Sequence, residues 1–129
     1  MRLLIDTHVF LWLESEPERL RRATGRIVED PENELYLSAV SGWEIAIKHA
    51  IGKLRLPVDP PVYVPTRLAR GGFQELDLTM QHALAVCGLP LYHDDPFDRL
   101  LVAQAQVEGL TLVTVDEQMT KYPIHVLKG

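Results

Sequence analysis

The sequence predicts an α/β fold, a mostly parallel sheet covered by helices on both faces. Two observations predict it. Short β-like runs, "RLLID" (2–6), "LYLS" (35–38), "FQELD" (73–77), "TLVTV" (111–115) and "IHVL" (124–127), recur along the chain, and stretches of helical apolar periodicity separate them. The second is size: 129 residues with 47% hydrophobic content suffice for one core and hardly for two, so residues 1–129 are expected to form a single domain.

The first strand runs into "THVFLWLE" and then "PERLRRATGRIVED", both helical in pattern. On a continuous helix Arg19, Arg22 and Arg26 share one face, with Arg21 beside them; that face is either plainly solvated or a stripe for phosphates or a partner. After the second strand, "SGWEIAIKHAIGKL" spaces Trp43, Ile47, Ala50, Ile51 and Leu54 as one apolar helical stripe. Ser41 and Glu44 have the spacing of a capping box. The Pro-rich "LPVDPPVYVP" (56–65) reads as a connecting loop, with a weaker helix over about 61–70, and "TMQHALAVCG" starts another helix at Thr79. The last long helix is expected to take Asp95 as N-cap and Pro96 as its first residue and to end at Gly109.

Composition narrows the function classes. Thirteen Lys and Arg against eighteen Asp and Glu leave a formal charge of −5, which argues against coating nucleic acid by bulk electrostatics, although metal ions can reverse the sign of a local site. The lone Cys87, in an apolar stretch, has no disulfide partner and is expected to be a small buried hydrophobe. No apolar run approaches the roughly 20 residues of a membrane span, and "MRLLID" enters a strand pattern at once, so a soluble cytoplasmic protein is expected.

In a parallel sheet the C-terminal ends of the strands share one edge, where open α/β sheets bind ligands. Asp6 closes the first strand, Glu44 is expected in the first turn of the helix after the second, Asp98 in the first turn of the last long helix, and Asp116 follows the fourth strand. All four are expected at that edge. Singly, most have structural readings: caps for Ser41/Glu44 and Asp95/Asp98, a Glu44–Lys48 pair, a turn at Asp116. Together they repel, by roughly 4 kcal/mol per pair at 4 Å and an effective dielectric of 20. Such a set calls for protons or a hard divalent cation with oxygen ligands, Mg2+ or Mn2+. Cys87 has no companion and few histidines have ligand spacing, which disfavours zinc.

"LLIDTHVFLWL", "LSAVSGWEIAIKHAIGKLRLP", "HDDPFDRLLVAQA" and "LVTVD", in that order, resemble a PIN-domain protein, most closely the VapC toxins of VapBC toxin and antitoxin modules. The resemblance covers nearly the whole chain and is weakest over 58–78. It implies a three-layer α/β/α fold with strand order 3-2-1-4-5 and a Mg2+- or Mn2+-dependent endoribonuclease. It also implies a homodimer, held inactive by a cognate VapB-like antitoxin in a heterotetramer or larger complex. Carried over by position, the catalytic acids are Asp6, Glu44, Asp98 and Asp116, with Asp6, Asp98 and Asp116 as metal ligands and Glu117 the alternative at the fourth corner. Thr7, Thr114, Asp95 and Arg99 are expected to support this set or touch substrate. His93 is assigned, with Asp95, to shaping the loop and capping the helix, and His8 to the surface or the scissile phosphate.

Two other classes stand beside this reading. A phosphoacceptor receiver domain has similar length and an acidic Mg2+ pocket, but expects paired acids after strand one and an Asp after strand three, where Asp77 is the sole candidate. A catalytically silent PIN scaffold, acting as a binding module, has no need to keep four mutually repelling carboxylates.

Overall fold

A computed structural model describes residues 1–129. Its strands are β1 (Arg2–Ile5), β2 (Glu34–Ser38), β3 (Phe73–Leu76), β4 (Thr111–Thr114) and β5 (Val126–Lys128). Its α-helices are α1 (Thr7–Ser15), α2 (Arg22–Glu29), α3 (Ala39–Ala50), α4 (Pro60–Gly71), α5 (Met80–Ala85) and α6 (Pro96–Glu108). The sheet is parallel throughout, in the order β3-β2-β1-β4-β5. A receiver-type doubly wound sheet runs 2-1-3-4-5, so this order contradicts the receiver alternative, and the exposed Asp77 loses its rationale.

Period-two alternation along the strands divides the core. Leu3, Ile5, Leu35, Leu37 and Val113 face α1, α2 and α4, where Phe10, Ile27 and Tyr63 pack on them. Leu4 and Leu112 face the other way, onto Leu101, Val102 and Ala105 of α6. Helix α3 serves both layers, Ile45 on one side and Val40 on the other. Both faces of the central strands are therefore dry, which explains their unbroken apolar sequence.

The long-helix boundaries at α6 follow the local chemistry. The Asp95 carboxylate accepts from the N–H groups of Phe97 and Asp98, Pro96 occupies N1, and Gly109 ends the helix at φ 66°, a left-handed conformation that costs glycine little.

Elsewhere tertiary packing overrides the local expectation. The 16–29 stretch is two pieces, a 3-10 turn (Pro17–Arg19) and α2, joined through extended Leu20 and Arg21. Arg19 therefore leaves the face shared by Arg22 and Arg26; it pairs with Glu16 and lies 3.9 Å from the Trp12 ring centroid. The N-cap of α3 is Ser38, whose hydroxyl accepts from Val40 N–H, so the capping box at Ser41 and Glu44 does not form and Glu44 falls in the second turn. The buried face of α3 is Val40, Ser41, Glu44 and Ile45, whereas Trp43 and Ile51 of the expected apolar stripe are 55% and 60% exposed. Residues 60–65 are helical, with Pro60 starting α4 and Pro65 inside it, at the cost of one helical hydrogen bond. Cys87 is exposed, because its segment tightens into a 3-10 turn (Val86–Gly88) that turns the side chain outward.

Candidate active site

The C-terminal edge of the sheet collects the acids. Asp6 follows β1 and is the N-cap residue of α1, yet its side chain caps nothing. At 1% exposure, its Oδ2 accepts from the Thr114 hydroxyl at 2.8 Å, and its Oδ1 has no partner. The Thr114 oxygen also accepts from Asp116 N–H at 3.1 Å, so one residue at the end of β4 sets two of the acids. Thr7 donates to Ser41 Oγ at 2.8 Å, which ties α1 to α3 beneath the site.

Glu44 is 2% exposed. Its Oε2 is 2.5 Å from Lys48 Nζ, and its Oε1, like Asp6 Oδ1, is buried without a partner. Buried polar atoms are ordinarily satisfied, and an orphan commonly marks a bound ion or a functional site.

The three aspartates of "HDDPFD" separate. Asp94 points into solvent, the Asp95 carboxylate is consumed as the α6 cap, and Asp98 turns into the site. His93 bridges two acids: its Nε2 is 3.0 Å from Asp98 Oδ2 and 2.8 Å from Asp116 Oδ2. Donor atoms of His93, Asp98 and Asp116 lie within 4.8 Å of one another. Backbone Asp95 N–H donates to His93 Nδ1 at 3.1 Å. An N–H can only donate, so Nδ1 is unprotonated in this arrangement and the ring proton sits on Nε2, aimed at the two carboxylates. His93 thus acts here as a hydrogen-bond donor that holds Asp98 and Asp116 together. Its place could not be read from sequence, because it lies in an irregular loop and meets Asp116 from 23 positions away.

The electrostatics record the crowding. Burial, then the charges of Asp6, Asp95 and Glu44, push Asp98 up to about 7, with His93 opposing. Burial also raises Asp6, reinforced by Glu44 and opposed by the Thr114 hydrogen bond, the His8 charge and the backbone of Thr7. Burial works against the charged forms of Lys48 and His93, but the first is held above the usual lysine range by Glu44, Asp95 and Asp98, and the second above the usual histidine range by Asp116, Asp98 and Asp95.

The remaining sequence candidates also find places. Asp116 stands beside His93, while its neighbour Glu117 pairs with Lys128 at the surface. Arg99 is spent on the loop that carries His93, donating to the carbonyls of Val86, Leu89, Pro90 and His93 and to the Tyr122 hydroxyl. His8 is exposed on α1, its ring 5.8 Å from that of Trp12.

An edge of acids, two of them with orphaned buried oxygens, has the hard-oxygen chemistry that divalent cations require. The PIN domain family pattern matches residues 3–124, the span that contains Asp6, Glu44, His93, Asp98 and Asp116. The chain belongs to the PIN domain family.

Within that family it is VapC-type. It is 30% identical over 121 residues to Ribonuclease VapC22 of Mycobacterium tuberculosis, covering 93% of this chain and 91% of the relative. A shorter match to Ribonuclease VapC16 of the same organism is 44% identical over 59 residues, 46% of this chain and 42% of the relative. Among solved structures the fold resembles VapBC2 from Rickettsia felis bound to a promoter DNA fragment (TM-score 0.72, 15% identity, 98% of both chains). It also resembles DNA-bound VapBC from Salmonella typhimurium (TM-score 0.71, 16% identity, 98% of this chain and 97% of the other). No helix is long and apolar enough to cross a membrane.

Proposed function

We propose that this PIN-domain chain is a Mg2+- or Mn2+-dependent endoribonuclease and the toxin of a two-component module, working in the cytoplasm as a single-domain homodimer and silenced by a small VapB-like antitoxin in a heterotetramer or larger complex. The observation that carries the reading is the pair of orphaned carboxylate oxygens, Asp6 Oδ1 and Glu44 Oε1, beside the Asp98–His93–Asp116 cluster. A silent scaffold would leave two buried carboxylate oxygens without partners and with nothing gained. The names of the ribonuclease relatives and of the VapBC complexes support the same reading.

In this reading Asp6, Asp98 and Asp116 hold the cation, with Glu44 completing the set directly or through water. When bound, the cation supplies Lewis-acid chemistry to an RNA phosphodiester and neutralises the acids that would otherwise repel it. Thr114 orients Asp6, and His93 Nε2–H orients Asp98 and Asp116. Lys48 holds one oxygen of Glu44 and leaves Oε1, where it is not itself a ligand, to accept a proton from water.

The direct test uses protein freed of antitoxin. RNA cleavage with Mg2+ or Mn2+ that disappears in EDTA and in Asp98→Asn is expected; undiminished cleavage in chelator overturns the mechanism. The antitoxin is expected to present an arginine to Asp6, Asp98 or Asp116 as a charge-assisted plug, and an inhibited complex with that edge open to solvent would count against it.

A further inference from the structure

Beside the acid edge lies a cleft of about 640 Å³ between α1, α3 and the 53–57 segment, within the size range of small-ligand pockets. Thr7, Glu44 and Lys48 line it, so of the four acids Glu44 is the one that forms part of its wall. From Glu44 the cleft follows α3 through Ile45 to Lys48, a rise of about 6 Å. Past the helix, Gly52 at φ 78° reverses the chain, and His49 Nδ1, 3.1 Å from the Leu54 carbonyl oxygen, fastens the segment that presents Lys53 and Arg55 to the cleft.

The lining has two chemistries. The acids in the cleft are already engaged, Glu44 by Lys48 and Glu16 by Arg19. Lys53 and Arg55 are exposed and meet no carboxylate, so this flank offers uncompensated positive charge on a protein of net charge −5. On the opposite wall His8 and Trp12 stand one helical turn apart on α1 with ring centroids 5.8 Å apart; Arg19 covers one face of Trp12 but does not line the cleft, whereas Trp12 does. Cations beside an aromatic wall are the means by which proteins hold single-stranded nucleic acid, one for the phosphates and the other for the bases.

We infer that this cleft binds the nucleotide next to the scissile phosphodiester, its base against His8 and Trp12 and its phosphate on Lys53 and Arg55. The inference rests on the nuclease reading above and adds to it the flank from which the strand is held.

The test uses the whole chain in the Asp98→Asn background with Mg2+ and a single-stranded oligoribonucleotide of about ten nucleotides. Adding Lys53→Ala and Arg55→Ala, both exposed positions, should weaken binding roughly tenfold and reduce the slope of log affinity against log salt by about 0.7, the value for the one single-strand phosphate that the protein no longer neutralises. The chain has two tryptophans, so Trp43→Phe leaves Trp12 as sole reporter, and the RNA should quench its fluorescence. An unchanged salt slope, or RNA binding without quenching, overturns the inference. Loss of antitoxin binding in the double variant with the RNA slope intact also overturns it, assigning the cleft to a protein partner. These failures are distinct from failure of the nuclease reading, which shows as absence of metal-dependent cleavage by the unsubstituted chain.

Discussion

Thr114 donates its hydroxyl to Asp6 Oδ2 at 2.8 Å, so the end of β4 fixes one oxygen of a buried carboxylate and leaves the other, Oδ1, without a partner. The same hydroxyl oxygen accepts from Asp116 N–H. Thr114→Val keeps the shape and removes both bonds. It should cost about 1–3 kcal/mol, the range for leaving buried polar groups unsatisfied, in urea denaturation, and it should weaken stabilisation by Mg2+ because Asp6 and Asp116 lose their orientation. A stability equal to the parent would show that the hydroxyl merely fills space.

Asp6 and Asp98 distinguish a metal site from a set of caps. Neither carboxylate caps a helix, so Asp6→Asn and Asp98→Asn should lose RNA cleavage while melting at or above the parent temperature in EDTA, since each removes repulsion from its neighbours. Added Mg2+ should stabilise the parent by mass action and the variants much less. A clear fall in metal-free melting temperature for both, with cleavage retained, would return these residues to a structural role.

The crowded acids also set a pH dependence for the metal-free protein. Asp98 is raised to about 7 in the fold, against about 3.9 in an unfolded chain, and Asp6 is raised too. Between these limits the folded state binds more protons than the unfolded, so stability falls as pH rises through the window. In EDTA the urea midpoint should therefore be lower at pH 8 than at pH 5.5, by a stability difference on the order of 1–3 kcal/mol. Mg2+ at pH 8 should restore it, and a midpoint that rises with pH would contradict the assigned crowding.

Lys48 is the counter-charge of a carboxylate buried to 2% exposure. Lys48→Met should leave Glu44 uncompensated and destabilise the metal-free fold by about 1–3 kcal/mol, less than a fully buried pair would because the lysine is partly exposed. Glu44→Gln combined with it should recover most of that loss. The double-mutant cycle measures the coupling, and additive losses would mean that the pair contributes nothing of its own.

Much of this protein was legible one element at a time. The start of α6 at Asp95 and Pro96 and its end at Gly109 depend on backbone groups within a few residues, so local sequence suffices to place them. The strands are short apolar runs because both faces of the sheet are covered, and the ordered motifs around Asp6, Glu44, Asp98 and Asp116 carried the PIN resemblance and its strand order. Where the reading failed, the deciding neighbours were distant. The apolar stripe of α3 proved the wrong face because the inner face mixes core residues Val40 and Ile45 with Ser41, which meets Thr7, and the buried Glu44. Cys87 lies outside the core because its segment tightens into a 3-10 turn.

What the sequence by itself determined is the alternation of strands and helices, and with it the edge where four acids had to gather, because periodicity and capping are short-range. What only the tertiary structure decided is which carboxylate oxygens are held and which are left open. Thr114 reaches Asp6 across 108 positions, and His93 reaches Asp116 across 23. Such pairings arise only when β1 and β4 lie side by side and the loop before α6 folds back over their ends. Local propensity carries no information about which oxygen then faces a donor and which faces the site.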